Sequence, residues 1–183
     1  MEPVEINAGD YYLRQLRADE RIDDRAAVLA AFTDPDTRRW LTRYRIDDLD
    51  SAGRYVADRT REWQDDRRCS WAVADPQTGA MLGEVGLKGL DLWHGTAEVS
   101  CWTHPAHRGR GVAVAALAAA LRFGYGALDL HRVCYQHAEG NGASRRVAEK
   151  SGFRLEGLLR GAERVDDGHR DLLIWSRLAT DPD

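Results

Sequence analysis

The chain has 183 residues, 43% of them hydrophobic and 31% charged, a composition that fits a globular domain and excludes a disordered or fibrous one. Its 26 basic against 30 acidic residues leave a net charge of −4, which weighs against a nucleic-acid partner, since such binders carry a basic excess. Three cysteines without a C-x-x-C pair exclude a disulfide framework, and no apolar run approaches membrane-spanning length.

The start, Met1-Glu2-Pro3-Val4-Glu5, has neither the basic nor the apolar part of a signal peptide. One cytoplasmic domain over 1–183 is the expectation. Tyr11 to Leu16 alternates as a first strand. A helix is expected from Ala18-Asp19-Glu20, with Val28, Leu29 and Phe32 on its apolar face. Asp34-Pro35 opens a second, short helix carrying Trp40, because aspartate caps and proline suits the first helical position. Leu49 to about Trp63 is amphipathic.

The middle reads as strands. Cys69–Ala74 and Met81–Leu90 flank the turn signal Asp75-Pro76-Gln77-Thr78-Gly79. Trp93-His94-Gly95 then turns into a strand from Ala97 to Thr103, ended by His104-Pro105. An alanine-rich helix runs to about Gly126, and His131–His137 is the next strand. Asn141 begins a helix to Lys150, stopped by Ser151-Gly152. Phe153–Leu159 and His169–Leu178 are the last strands, with Gly161-Ala162-Glu163-Arg164 in the link between them. This order makes a mixed α/β domain with a ligand loop at a strand's carboxyl end.

That loop is Arg108-Gly109-Arg110-Gly111-Val112-Ala113. The first-turn N–H groups of the helix it opens lack intrahelical partners and carry the positive end of the dipole, which suits phosphate. By itself the loop fits a plain strand-to-helix turn equally well. It is neither a Rossmann fingerprint, lacking the third glycine, nor a Walker loop, lacking Gly-Lys-Ser/Thr.

Arg108-x-x-Gly111-x-Ala113 after a strand resembles the acyl-CoA loop of the GNAT acetyltransferases. Asn141-x-x-Ser144, then Gly152-Phe153-Arg154-Leu155-Glu156-Gly157 and a late Asp171, is similar to the RimJ/RimL-type branch, as are Leu13-Arg14 and Asp34-Pro35-(x)4-Trp40-Leu41. The resemblance spans roughly residues 11 to 178. It implies a mostly antiparallel sheet, flanked by helices and splayed between its fourth and fifth strands, Ala97–Thr103 and His131–His137. Acetyl-CoA's pantetheine arm would lie in that gap against backbone near Trp102, Thr103 and His104. Its pyrophosphate would sit on Arg108, Gly109, Arg110, Gly111, Val112 and Ala113, with Asn141 bonding the pantetheine.

Within the same resemblance, Ser144 is the expected acid for the departing thiolate, because Ala148 stands where many relatives have a tyrosine. Its residue-level alternative is an ordinary helix-bonding hydroxyl. Glu98 shares a strand face with Ser100 and Trp102 and is a candidate base, or else a surface ion-pair partner. Glu163 is the rival base, which the branch places near the acceptor amine. Trp40 and Trp102 are candidate walls of the acceptor pocket or plain core. No histidine or cysteine spacing supports a metal site. The acceptor is expected to be a peptide N-terminus or a small amine, and the net negative charge favours a cationic one. A homodimer is compatible with the resemblance, and a silent acyl-CoA-binding module is the alternative function.

Overall fold

The computed structural model describes residues 1–182. Eight strands form one sheet in the order β1-β2-β3-β4-β5-β6-β8-β7. They are β1 (Ile6–Ala8), β2 (Tyr11–Arg14), β3 (Arg68–Ala74), β4 (Met81–Asp91), β5 (Thr96–Thr103), β6 (Arg132–Ala138), β7 (Arg154–Val165) and β8 (Gly168–Leu178). The helices are α1 (Arg25–Thr33), α2 (Pro35–Trp40), α3 (Leu49–Gln64), α4 (Val112–Ala127) and α5 (Gly142–Lys150). Every strand pair is antiparallel except β5–β6, which is parallel. The splayed pair are the fifth and sixth strands here, because the short β1 adds one at the edge.

Three elements differ from the expectations. β1 was not expected; it pairs with β2 over only three rungs, too short to show alternation. The first helix begins at Arg25, because Asp19 turns the chain earlier by accepting the N–H groups of Arg21 and Ile22. β7 runs on to Val165, so Glu163 lies in a strand and the link shrinks to the turn before Gly168.

Two apolar clusters flank the sheet. One packs α4, through Val112, Ala116, Leu117, Ala120 and Leu121, onto Trp71, Val85, Leu87 and Val99. Alanine is what lets that helix sit close to the strands. The other packs α1 and α3, through Val28, Phe32, Ala52, Tyr55 and Val56, onto the opposite face.

That second face also holds a buried ionic cluster. Glu84 is 1% exposed. Its carboxylate accepts from the Tyr55 hydroxyl (2.6 Å), Arg59 Nε (3.1 Å), Arg68 Nη2 (3.0 Å) and Trp102 Nε1 (3.0 Å). Arg59 Nη2 finds no hydrogen-bond acceptor among the described residues, and its guanidinium lies over the rings of Tyr55 (4.2 Å) and Tyr44 (5.2 Å). Glu62 also accepts from Arg59 Nη1 (2.5 Å) and lies 3.7 Å from Arg68 Nε, but it is partly exposed, so removing Glu84 takes away the one fully buried carboxylate that the two arginines share. Glu84→Ala is therefore expected to cost about 3–5 kcal/mol of unfolding free energy, read from urea denaturation.

Candidate active site

β5 and β6 pair over only three rungs, Thr96–Arg132, Ala97–Val133 and Glu98–Cys134. Beyond them β6 stays on β8 as far as Ala138, and β5 stays on β4 as far as Thr103. The sheet thus opens from the inside. The His104 N–H donates to Leu82 O (2.8 Å), and rungs of an antiparallel pair alternate in direction. The N–H and C=O of Trp102 therefore face β4, as does the N–H of His104. Those of Thr103 and Cys101 face the gap. Of Trp102, Thr103 and His104, Thr103 is the one that offers backbone to a ligand there, and Cys101 joins it.

At the open end lies the loop before α4. Gly109 (φ +77°) and Gly111 (φ +78°) adopt left-handed backbone, and neither position has a heavy atom within 4 Å of an added Cβ. Gly111 is the N-cap and supplies no side chain. The first α4 hydrogen bond runs from Ala115 N to Gly111 O, so the N–H groups of Val112 and Ala113 stay free for a ligand among the described residues. The two loop arginines divide. Arg108 turns away to α2, where it binds Asp34 and, at 2.8 Å, Thr37 Oγ1. Arg110 takes no carboxylate among the described residues, and its carbonyl accepts from Tyr11 Oη (3.0 Å). Burial alone would raise the Asp34 carboxyl, but Arg108 and the N–H and hydroxyl of Thr37 outweigh it and leave its pKa below the ordinary value.

Across the gap, Asn141 caps α5: its Oδ1 accepts the Ser144 N–H at 3.1 Å. That places Ser144 Oγ 2.8 Å from the hydroxyl of Tyr135, which is 3.4 Å from Cys101 Sγ. The three side chains cross from β5 to α5 by way of β6. Burial, with Cys101 second, pushes the Tyr135 phenol well above its usual pKa, so it stays protonated. Burial also raises the Cys101 thiol. Tyr135 was missed in the sequence. It alternates with Val133 on a buried strand face, which reads as core, and only the fold brings it to Ser144.

Both candidate bases are ion-paired. Glu98 sits on the last closed rung, 2.9 Å from Lys88 Nζ and 29% exposed. Glu163 accepts from Arg170 Nε (2.7 Å) and Thr42 Oγ1 (3.3 Å). Arg170 also donates to the carbonyls of Arg39 (2.8 Å) and Trp40 (2.9 Å), which fastens the β7–β8 hairpin to the end of α2. The Trp40 ring is covered by guanidiniums, Arg39 at 4.8 Å and Arg170 at 5.6 Å from its centroid. Trp102 meets Phe32 edge-on at 5.7 Å and is tethered by its N–H to Glu84. Both rings are partly buried. Between the α2–α3 loop and the hairpin tip is a hollow of about 300 Å³ lined by Thr42, Arg164, Val165 and Asp166. A larger, shallow hollow of about 610 Å³ beside α3 contains none of these site residues.

Two histidines near the gap are engaged locally. His104 Nδ1 accepts from Ala106 N, and His137 Nε2 accepts from Trp175 Nε1 (3.0 Å). No group of three or more His, Cys, Asp or Glu is arranged to hold a metal among the described residues.

Comparison with known proteins bears on this arrangement. Residues 12–154 match the model of the acetyltransferase (GNAT) domain. A Bacillus subtilis relative, YdaF, assigned by name to the ribosomal N-acetyltransferases, is 34% identical over 100 residues, 55% of each chain. The Escherichia coli ribosomal-protein-serine acetyltransferase is 29% identical over 98 residues, 54% of this chain and 55% of that one. The aligned stretch thus spans about half the length of these curated relatives. Mycobacterium smegmatis RimJ, solved in complex with CoA-disulfide, superposes with a TM-score of 0.83 at 25% identity, covering 97% of this chain and 88% of that one.

The tie between the loop and α2 is testable on its own. Arg108→Ala removes a half-exposed ion pair and its threonine contact, so α2 amide protons are expected to exchange about two- to five-fold faster, measured by hydrogen–deuterium exchange. Unchanged exchange would show that α2 does not depend on the loop.

Proposed function

The chain belongs to the GNAT acetyltransferase family, and on that footing we propose that it moves an acetyl group from acetyl-CoA to a primary amine by direct attack in a ternary complex. The observation that carries the reading is the Ser144 hydroxyl held beside an opened sheet, with a free helix N-terminus at the mouth of the same gap. The pyrophosphate is assigned to the free N–H groups of the loop from Gly109 to Ala113 and to Arg110, and Arg108 braces that loop. The pantetheine amides pair with the gap-facing backbone at Thr103 and Cys101, and the amide of Asn141 lies opposite them. One of those N–H groups polarises the thioester carbonyl as its oxygen becomes negative.

The amine attacks as its free base. Its nitrogen forms the new C–N bond while the C–S bond breaks. Ser144 gives its proton to the departing sulfur and is reprotonated from solvent through the gap. A thiol is a poor acceptor, so the Tyr135 O–H donates to Ser144 Oγ and the Cys101 S–H to Tyr135. That order leaves the serine's own proton aimed at the gap, which makes Tyr135 a positioning residue. The proton shed by the amine passes through water to Glu98 at the closed end of the gap. Glu163 keeps the acceptor-side hairpin in place through Arg170 and is the alternative proton acceptor. The acceptor is a peptide N-terminus or a small amine. The names of the relatives YdaF and the Escherichia coli ribosomal-protein-serine acetyltransferase support the former.

Thiol release from acetyl-CoA across peptides and small amines, with mass spectrometry of the products, tests the reading. CoA binding without thiol release would leave a silent binding module. Ser144→Ala is expected to lower kcat about a hundredfold with little change in acetyl-CoA KM, and Tyr135→Phe about tenfold. Both losses should shrink with an acetyl thioester of a more acidic thiol, which needs no acid to leave. A loss equal on both donors would mean that the hydroxyls only support the fold. In the same assay Glu98→Gln should lower kcat at constant acceptor KM, whereas Glu163→Gln should chiefly raise acceptor KM. The reverse assignment would exchange their roles.

A further inference from the structure

The chain's net charge is negative, but its charges are unevenly spent. Many exposed arginines are matched to a neighbouring carboxylate: Arg17 to Asp19, Arg25 to Asp23, Arg61 to Asp58 and Arg145 to Glu149. Others have no such partner among the described residues, and a group of these lies around the acceptor-side hollow. Arg39, Arg43 and Arg164 are exposed, and none has a carboxylate partner among the described residues. Arg39 and Arg170 both crowd the Trp40 ring, and Arg164 lines the hollow with Thr42. The nearby acids are fewer: Glu163 is taken up by Arg170 and Thr42, Asp166 lies on the lining and Asp167 follows it in the turn, three acids against the four arginines.

Like charges gathered on two elements that are stapled together repel, and a bound anion relieves that cost. Guanidinium forks fit carboxylate and phosphate oxygens in pairs. We propose that the acceptor of the transferred acetyl group carries an anionic group, a carboxylate or a phosphate, near its amine, and that Arg43 and Arg164 bind it at the rim of this hollow. The inference rests on the acetyltransfer reading and names its acceptor class. It reverses the expectation drawn from whole-chain charge, because the field at the site follows the local arginines and distant acids are screened beyond about 8–10 Å.

The test uses four acceptors with acetyl-CoA and the full chain. Two are N-terminal serine hexapeptides, one with Asp and Glu after the serine and one with Lys there. Two are small amines, phosphoethanolamine and spermidine. The anionic member of a pair is expected to have the higher kcat/KM by about tenfold, the equivalent of about 1.4 kcal/mol. Which pair turns over distinguishes a peptide carboxylate from a small phosphate. The double variant Arg43→Glu, Arg164→Glu should invert the preference while leaving acetyl-CoA KM unchanged. Preference for the lysyl peptide or spermidine, or no inversion, overturns the proposal. Calorimetry of the N-acetylated acidic hexapeptide and of N-acetylphosphoethanolamine against the CoA-bound protein needs no turnover, and binding of neither at about 1 mM also overturns it. Thiol release without charge preference sinks this inference alone. Acidic-peptide binding without thiol release sinks the acetyltransfer reading and leaves the anion site standing.

Discussion

The arrangement depends on a parallel ladder that stops after Glu98 and Cys134. A sheet interior normally satisfies its backbone on both sides, yet here each strand keeps only its outer neighbour past that rung. The cost is a row of main-chain donors and acceptors inside the molecule with no strand to meet them. An extended chain of amides is the ligand that satisfies such a row, and the loop before α4 places a phosphate-suited helix end at its mouth. The side chains crossing the gap, Cys101, Tyr135 and Ser144, are polar on one edge only, in keeping with a slot that must accept a ligand and also exclude bulk water.

Three carboxylates near the site are engaged. Glu84 organises two buried arginines, Glu98 takes Lys88, and Glu163 takes Arg170. The acids thus fix the walls, and the polar group left aimed at the gap is a hydroxyl. The same division orients Trp102: its N–H is bound into the Glu84 cluster, so its ring is set by the buried charges behind it.

Much of the fold was legible because the punctuation was strong. Asp34-Pro35 does cap α2, with Thr37 N on the Asp34 carboxylate, and the glycine loop does join β5 to α4. What escaped notice was set by tertiary contact. β1 is too short to carry a pattern, and the extra length of β7 follows from pairing with β8 across bulges that disrupt alternation. At the site, the position of the loop between strand and helix was legible in the sequence, whereas Ser144 was singled out only by the family resemblance. The direction of Arg108 could not be read there, since its partners Asp34 and Thr37 lie more than seventy residues earlier. Nor could the engagement of Trp40 by Arg170, which comes 130 residues later.

Helix α2 touches both halves of the site through different chemistry. Its first end offers a side chain, Asp34, to Arg108, and its last end offers carbonyl oxygens to Arg170. Every residue type has a carbonyl. Substitutions on the exposed positions of α2 therefore leave the hairpin's grip intact, and the surroundings of the acceptor are free to diversify there. Length is another matter. One residue more or fewer turns the gripped carbonyls by about 100° and shifts them by about 1.5 Å, away from the guanidinium. Descendants of this chain can vary the lettering of α2 widely, but the number of letters between its two anchors is fixed by geometry.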